Sequence, residues 1–202
     1  PLGPILAVMP WNFPFWQVFR FCVPTLMAGN TVLLKHASNA QICAQHIENI
    51  FERSGFPAPV FRNLIIGSYR VDNVIKHKCV KAVSLTGSEL AGQKVAATAG
   101  VEIKKTLLEL GGSNAFVVLD DADIQKAVET GIKARFQNAG QSCIAAKRFI
   151  IHRKVSDNFI ALFLEEMKKL KTGDPAKEET DLGPLASIQQ AEKIEEQVRK
   201  SI

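Results

Sequence analysis

Short apolar, β-branched runs at residues 5–9, 31–34, 63–66 and 80–85 alternate with segments whose apolar residues recur at helical spacing. No other feature constrains the fold as strongly. Strands separated by helices pair most simply in parallel, each helix crossing over the sheet to the start of the next strand. Between the second and third runs, Cys43, Ile47, Ile50 and Phe51 share one helical face, and Gly55 with Pro57 ends the segment. The expected class is therefore α/β, with an open parallel dinucleotide-binding sheet of Rossmann type over residues 1–110. A second α/β unit is expected to start in residues 111–202. It opens with a strand at 115–119, and Asp120 and Asp121 stand where they can cap a helix running from about Asp123 towards Gln137. A strand at 149–152 follows, then a helix carrying Phe159, Leu162, Phe163, Met167 and Leu170, and a polar turn at Gly173, Asp174 and Pro175. The last periodic segment carries Ile188, Ala191, Ile194 and Val198. Because the chain starts inside a strand pattern and stops inside a helical one, it is expected to be a piece of a longer protein.

Composition removes several function classes. With 202 residues, 47% hydrophobic and 22% charged, the chain can build a substantial core. A net charge of +5 would suit nucleic acid only if it were clustered. It is scattered among acidic neighbours, as at Glu165, Glu166, Lys168 and Lys169, so no nucleic-acid partner is expected. There is no apolar run of spanning length and no signal-peptide pattern at the N-terminus, which argues against a membrane partner. Cys22, Cys43, Cys79 and Cys143 lack metal-ligand spacing, so no metal is expected, and a reactive thiol favours a reducing, cytoplasmic setting.

An isolated cysteine is most often a small buried hydrophobe. Cys143, however, ends the run Gln137, Asn138, Ala139, Gly140, Gln141, Ser142 and lies downstream of Glu109, Leu110, Gly111 and Gly112. A thiol and a carboxylate, each in a Gly-bearing segment, suggest covalent catalysis followed by base-assisted hydrolysis. Gly87, Ser88 and Gly92 stand where a strand gives way to a helix, so backbone N–H groups and the helix dipole can meet a pyrophosphate. The guanidinium of Arg20, in the amphipathic stretch with Phe15, Trp16, Val18, Phe19, Phe21 and Cys22, needs a partner or a route to solvent.

Taken in order, Pro10-Trp11-Asn12-Phe13-Pro14, Lys35, Thr86-Gly87-Ser88 with Gly92, Glu109 and Cys143 resemble the signature of the NAD(P)-dependent aldehyde dehydrogenase superfamily over nearly the whole chain. The resemblance implies an aldehyde-dehydrogenase-like fold. It also implies oxidation of an aldehyde to an acid through a cysteine thiohemiacetal and thioester. Cys143 is then the nucleophile, Asn12 the oxyanion-hole amide, and Glu109 the general base that activates the deacylating water. Met9, Trp11, Asn12, Lys35, Ser38, Gly87, Ser88, Gly92 and Leu110 form the implied cofactor set. Where NAD-preferring members carry a glutamate three residues after the lysine, this chain has Ser38, which implies NADP or dual use with NAD. Arg20, eight residues after Asn12, has the spacing of the arginine that grips the distal carboxylate in succinate-semialdehyde dehydrogenases. The partners implied are a small aldehyde and, when full length, further copies of the same chain. Other small aliphatic aldehydes, and a nucleotide-binding fragment without catalysis, remain alternatives; a thiol-imidazole hydrolase would need His36, His46, His77 or His152 in a recognisable motif, and none is.

Overall fold

A computed structural model describes all 202 residues, which fall into two compact units, Pro1–Gly111 and Gly112–Ile202. In the first, β1 (Pro4–Met9), β2 (Thr31–His36), β3 (Phe61–Asn63), β4 (Ala82–Thr86) and β5 (Lys105–Glu109) form one parallel sheet in the order β3-β2-β1-β4-β5. The crossovers are α1 (Trp16–Met27), α2 (Gln41–Arg53), α3 (Val71–Lys76) and α4 (Glu89–Val101). Strands covered on both faces read as continuous apolar runs, which is why β1 and β4 are legible without alternation. Ala7, Met9, Val32 and Leu34 pack with Val18, Cys22, Ala44, Ile47 and Phe51 of α1 and α2. Leu6, Val83 and Leu85, pointing the other way, pack with Val71, Ile75, Val95 and Ala99 of α3 and α4.

Three expectations for this unit change. The third strand is Phe61–Asn63 rather than 63–66, because its ladder ends at the Leu64 N–H bond to Leu34 O (2.7 Å) and Ile66 N–H then turns back to Leu64 O (2.9 Å). The buried face of α2 is Ala44, Ile47 and Phe51; Ile50 is 44% exposed and Cys43 half-buried, since the contact with the sheet is narrower than the apolar stripe. β5 carries no strand pattern in the sequence, because it lies at the sheet edge with Lys105, Thr106 and Leu107 exposed.

The second unit contains a parallel pair, β6 (Asn114–Val118) and β7 (Ala146–Ile151), with α5 (Ile124–Phe136), α6 (Arg153–Lys169) and α7 (Ile188–Ser201). Its core is aromatic. Phe149 meets Phe163 edge-on at 5.2 Å, and Phe159 stacks on Phe163 at 5.5 Å. Gly131 lets α5 approach them, because a Cβ there would lie 3.2 Å from Phe163 and 3.3 Å from Phe149. The cap of α5 is Asp123, whose carboxylate accepts from Lys126 N–H (3.1 Å), and not Asp120 or Asp121; Asp120 is instead paired with Lys154 at 2.9 Å. β7 begins at Ala146, earlier than expected, and His152 caps α6 instead of ending the strand. The periodic residues of α7 are all exposed, and its stripe belongs to none of the buried clusters.

Candidate active site

Strand order reverses at β1, which has β2 on one side and β4 on the other. The loops leaving the carboxyl ends of β1 and β4 therefore diverge to opposite faces, and a crevice opens between them. Register fixes what lines it. Val8 pairs with Lys35 and with Leu85, and Thr86 pairs with Glu109. The single sheet edge thus gathers Trp11 and Asn12 after β1, Lys35 near the end of β2, Gly87 and Ser88 after β4, and Glu109 and Leu110 at the end of β5. Met9 shares this edge; it is only 3% exposed and packs in the core, yet it also lines the cavity that holds Arg20 and Glu109.

The loop carrying Asn12 is held by a residue whose importance sequence reasoning missed. His36 is fully buried at the end of β2. Its Nδ1 accepts from Ala37 N–H (2.8 Å), which assigns the ring proton to Nε2, and Nε2–H donates to Pro14 O at 3.0 Å. The only signal was a histidine continuing the buried alternation of Val32 and Leu34. Burial pushes the imidazole below its ordinary pKa, against a smaller opposing pull from its backbone bonds. Below the ordinary histidine value the unfolded chain takes up a proton that folded His36 resists. Stability contributed by the neutral ring is therefore present above that value and lost as pH falls through it. The urea midpoint of the first unit is expected to drop between pH of about 7 and about 5, with a flatter profile in His36→Gln. Parallel profiles for the two proteins would remove His36 from the account.

Ser88 caps α4 by accepting from Ala91 N–H (3.3 Å), and Gly87 N–H donates to Glu109 O (2.9 Å), which ties the β4 turn to the end of β5. Gly92 is buried, and a Cβ on it would lie 2.6 Å from Leu110 Cδ2. Both residues belong to the expected cofactor set, and in the structure they pack on each other. Lys35 is half-buried, and the cost of burying its charge lowers its pKa. Ser38 is exposed and begins the single turn Ser38–Ala40, which carries no acidic residue in its first turn.

Arg20 and Glu109 meet. Their ion pair is 2.8 Å long, with side chains 44% and 50% exposed. It lines a cavity of about 370 Å³ together with Gln17, Phe21, Ser84 and Thr86. Such exposed pairs contribute only about 0–1 kcal/mol, so a stronger carboxylate partner can compete for the guanidinium. A larger apolar hollow of about 870 Å³, lined by residues including Leu33, Val60, Leu64 and Val74, contains none of the expected site residues.

In the second unit, Asn138 (φ 54°), Ala139 (φ 53°) and Gly140 (φ 76°) form a left-handed run just before Cys143. For Asn138 and Ala139 this conformation costs about 1 kcal/mol or more each, and persists only where surrounding bonds over-determine it. Cys143 is half-buried and its carbonyl accepts from Lys147 Nζ at 3.2 Å. The preceding Ser142 is buried, and its hydroxyl makes no hydrogen bond. All four cysteines are free; burial drives the Cys22 thiol up to about 12, which leaves it inert as a nucleophile.

A family model described as the aldehyde dehydrogenase family matches residues 1–202. The chain is 52% identical over 202 residues to a succinate-semialdehyde dehydrogenase (NADP(+)) of Mycobacterium avium (strain 104), covering 100% of the chain and 43% of that protein. It is likewise 52% identical over 198 residues to succinate-semialdehyde dehydrogenase (NADP(+)) 1 of Mycobacterium tuberculosis (strain ATCC 25618 / H37Rv), covering 98% of the chain and 43% of the relative. The crystal structure of succinic semialdehyde dehydrogenase from Streptococcus pyogenes in complex with NADP+ superposes with a TM-score of 0.95 at 43% identity, covering 98% of this chain and 43% of that one. The chain thus spans less than half the length of the relatives it matches.

Proposed function

This chain belongs to the aldehyde dehydrogenase family, and on that premise we propose that its residues supply the cofactor crevice and the thiol of an enzyme oxidising succinate semialdehyde to succinate with NADP(+). The observation that carries the reading is the sheet register. It collects Asn12, Lys35, Ser88 and Glu109 at one carboxyl edge, with Arg20 in the cavity beside Glu109. Relatives named for this reaction are 52% identical along the chain.

The chemistry assigned to each side chain is specific. Cys143 attacks the aldehyde carbon as thiolate, and its C–S bond turns the carbonyl into a thiohemiacetal. Asn12 offers an amide donor to the developing oxyanion. Lys35, Ser38 and Ser88 would hold NADP(+), which would supply the hydride acceptor. Glu109 takes a proton from the water that attacks the resulting thioester, releasing the acid and restoring the thiol. Arg20 exchanges its weak pairing with Glu109 for the distal carboxylate of the substrate, which both orients the aldehyde and frees the base.

The crevice fits the cofactor's charges. Ser88 opens a helix whose first N–H groups face the β4 turn, a setting that suits a pyrophosphate, although Glu89 in the first turn adds a negative charge nearby. Lys35 and the hydroxyl of Ser38 suit a ribose phosphate, with no carboxylate in the Ser38–Ala40 turn to repel it. Ser38→Glu is therefore expected to move preference towards NAD, read as the ratio of kcat/KM for the two cofactors. An unchanged ratio would place Ser38 outside the pocket.

The same reading takes a cytoplasmic homo-oligomer as the working form; the four free thiols fit a reducing setting. No helix is long and apolar enough to cross a membrane. The test is a graft in which residues 1–202 replace the matching segment of the Mycobacterium avium relative. It is expected to form NADPH from succinate semialdehyde faster than from an uncharged aldehyde of equal length. A folded but inert graft would sink the assignment.

A further inference from the structure

Arg135 lies in the last turn of α5, where a cation is favoured by the helix dipole. It takes part in none of the ion pairs of the chain. Its guanidinium is spent on backbone carbonyls instead. Nη1 donates to Ala146 O at 2.9 Å and Nη2 to Gly140 O at 3.4 Å, so one planar fork spans both ends of the loop 140–146 that carries Cys143. Gly140 leaves room for it, because a Cβ there would stand 2.5 Å from Nη2. From the other side, Lys147 Nζ donates to the carbonyls of Cys143 (3.2 Å) and Gly112 (2.5 Å). The Gln141 side chain bridges Asn138 O (3.0 Å) and Ala186 N–H (2.8 Å).

A loop that follows a run of strained left-handed residues needs such external bonds to stay in one conformation. We propose that Arg135 is a positioning residue for Cys143, fixing the peptide planes on both sides of the thiol so that its sulfur and backbone N–H keep a single orientation. The proposal rests on Cys143 being the nucleophile. Arginine suits this better than lysine, since only a fork reaches two carbonyls at once.

Two measurements test it. In the 202-residue chain, Arg135→Met is expected to speed amide exchange at residues 140–146 by at least about tenfold, the loss expected from charge-assisted bonds. Arg135→Lys should lie between, and exchange in α6 should not change. In the graft, Arg135→Met is expected to lower kcat with little change in KM for the cofactor, again with partial rescue by lysine. Unchanged loop exchange overturns the proposal. So does exchange that rises equally in α6 in both variants, which would make Arg135 a general stabilising residue, and so does faster loop exchange with normal kcat. Failure of the function reading looks different. There Cys143→Ser leaves the graft as active as before, or the graft is inert throughout, and the exchange experiment still decides whether Arg135 holds the loop.

Discussion

Replacing Cys143 with serine in the graft is expected to abolish oxidation of succinate semialdehyde, by roughly a thousandfold or more, while NADP(+) binding is retained. A serine hydroxyl keeps the size of the side chain and the loop bonds, which all run through backbone atoms and the side chains of Arg135, Lys147 and Gln141. What it removes is a nucleophile that ionises easily enough to attack a carbonyl near neutral pH. Turnover and cofactor binding, measured on the same preparation, separate loss of chemistry from loss of fold. Turnover within a few fold of the unmodified graft would dismiss Cys143 as nucleophile.

Arg20→Leu is expected to have the second largest effect, and the ion pair with Glu109 gives it two parts. Loss of the guanidinium removes the partner of the substrate's distal carboxylate, a change of about 2–5 kcal/mol where the opposing charge stays buried. That corresponds to a fall of about thirtyfold or more in kcat/KM for succinate semialdehyde. Glu109 also loses its neighbour, and this is felt with an uncharged aldehyde, which leaves the pair in place, whereas succinate semialdehyde already draws Arg20 away. The change in kcat/KM for an uncharged aldehyde of the same length therefore reports the second part, and in an Arg20→Leu, Glu109→Gln double variant it should shrink. The further fall with succinate semialdehyde reports the first. Equal losses with both aldehydes would leave Arg20 a purely structural partner of Glu109.

The first unit was largely legible in sequence because buried parallel strands and their crossover helices leave continuous and helical apolar patterns. β5 was illegible for the opposite reason. An edge strand with exposed Lys105, Thr106 and Leu107 gains its conformation from pairing with β4, which no local pattern records. The expected cofactor residues were read one by one from motifs; their collection along a single edge follows from register and strand order, which are properties of pairing. His36 and Arg135 were missed because both act on backbone carbonyls. A carbonyl belongs to every residue, so a side chain that recognises one has no partner to be found in the sequence. The same limit hid the bond between Arg20 and Glu109, whose encounter depends on α1, packed over β1 and β2, sending one long side chain across to the end of β5.

The contact between Gly92 and Leu110 bears on how this chain can vary over generations. A side chain at position 92 must turn the Leu110 methyl group aside, so the size tolerated at one position depends on the other. Drift at these two sites is therefore coupled: a deep substitution library would record Gly92→Ala as better tolerated beside alanine at 110 than beside leucine. Position 110 immediately follows Glu109, so the contact that seats helix α4 stands next in the chain to the base, and the two are inherited side by side.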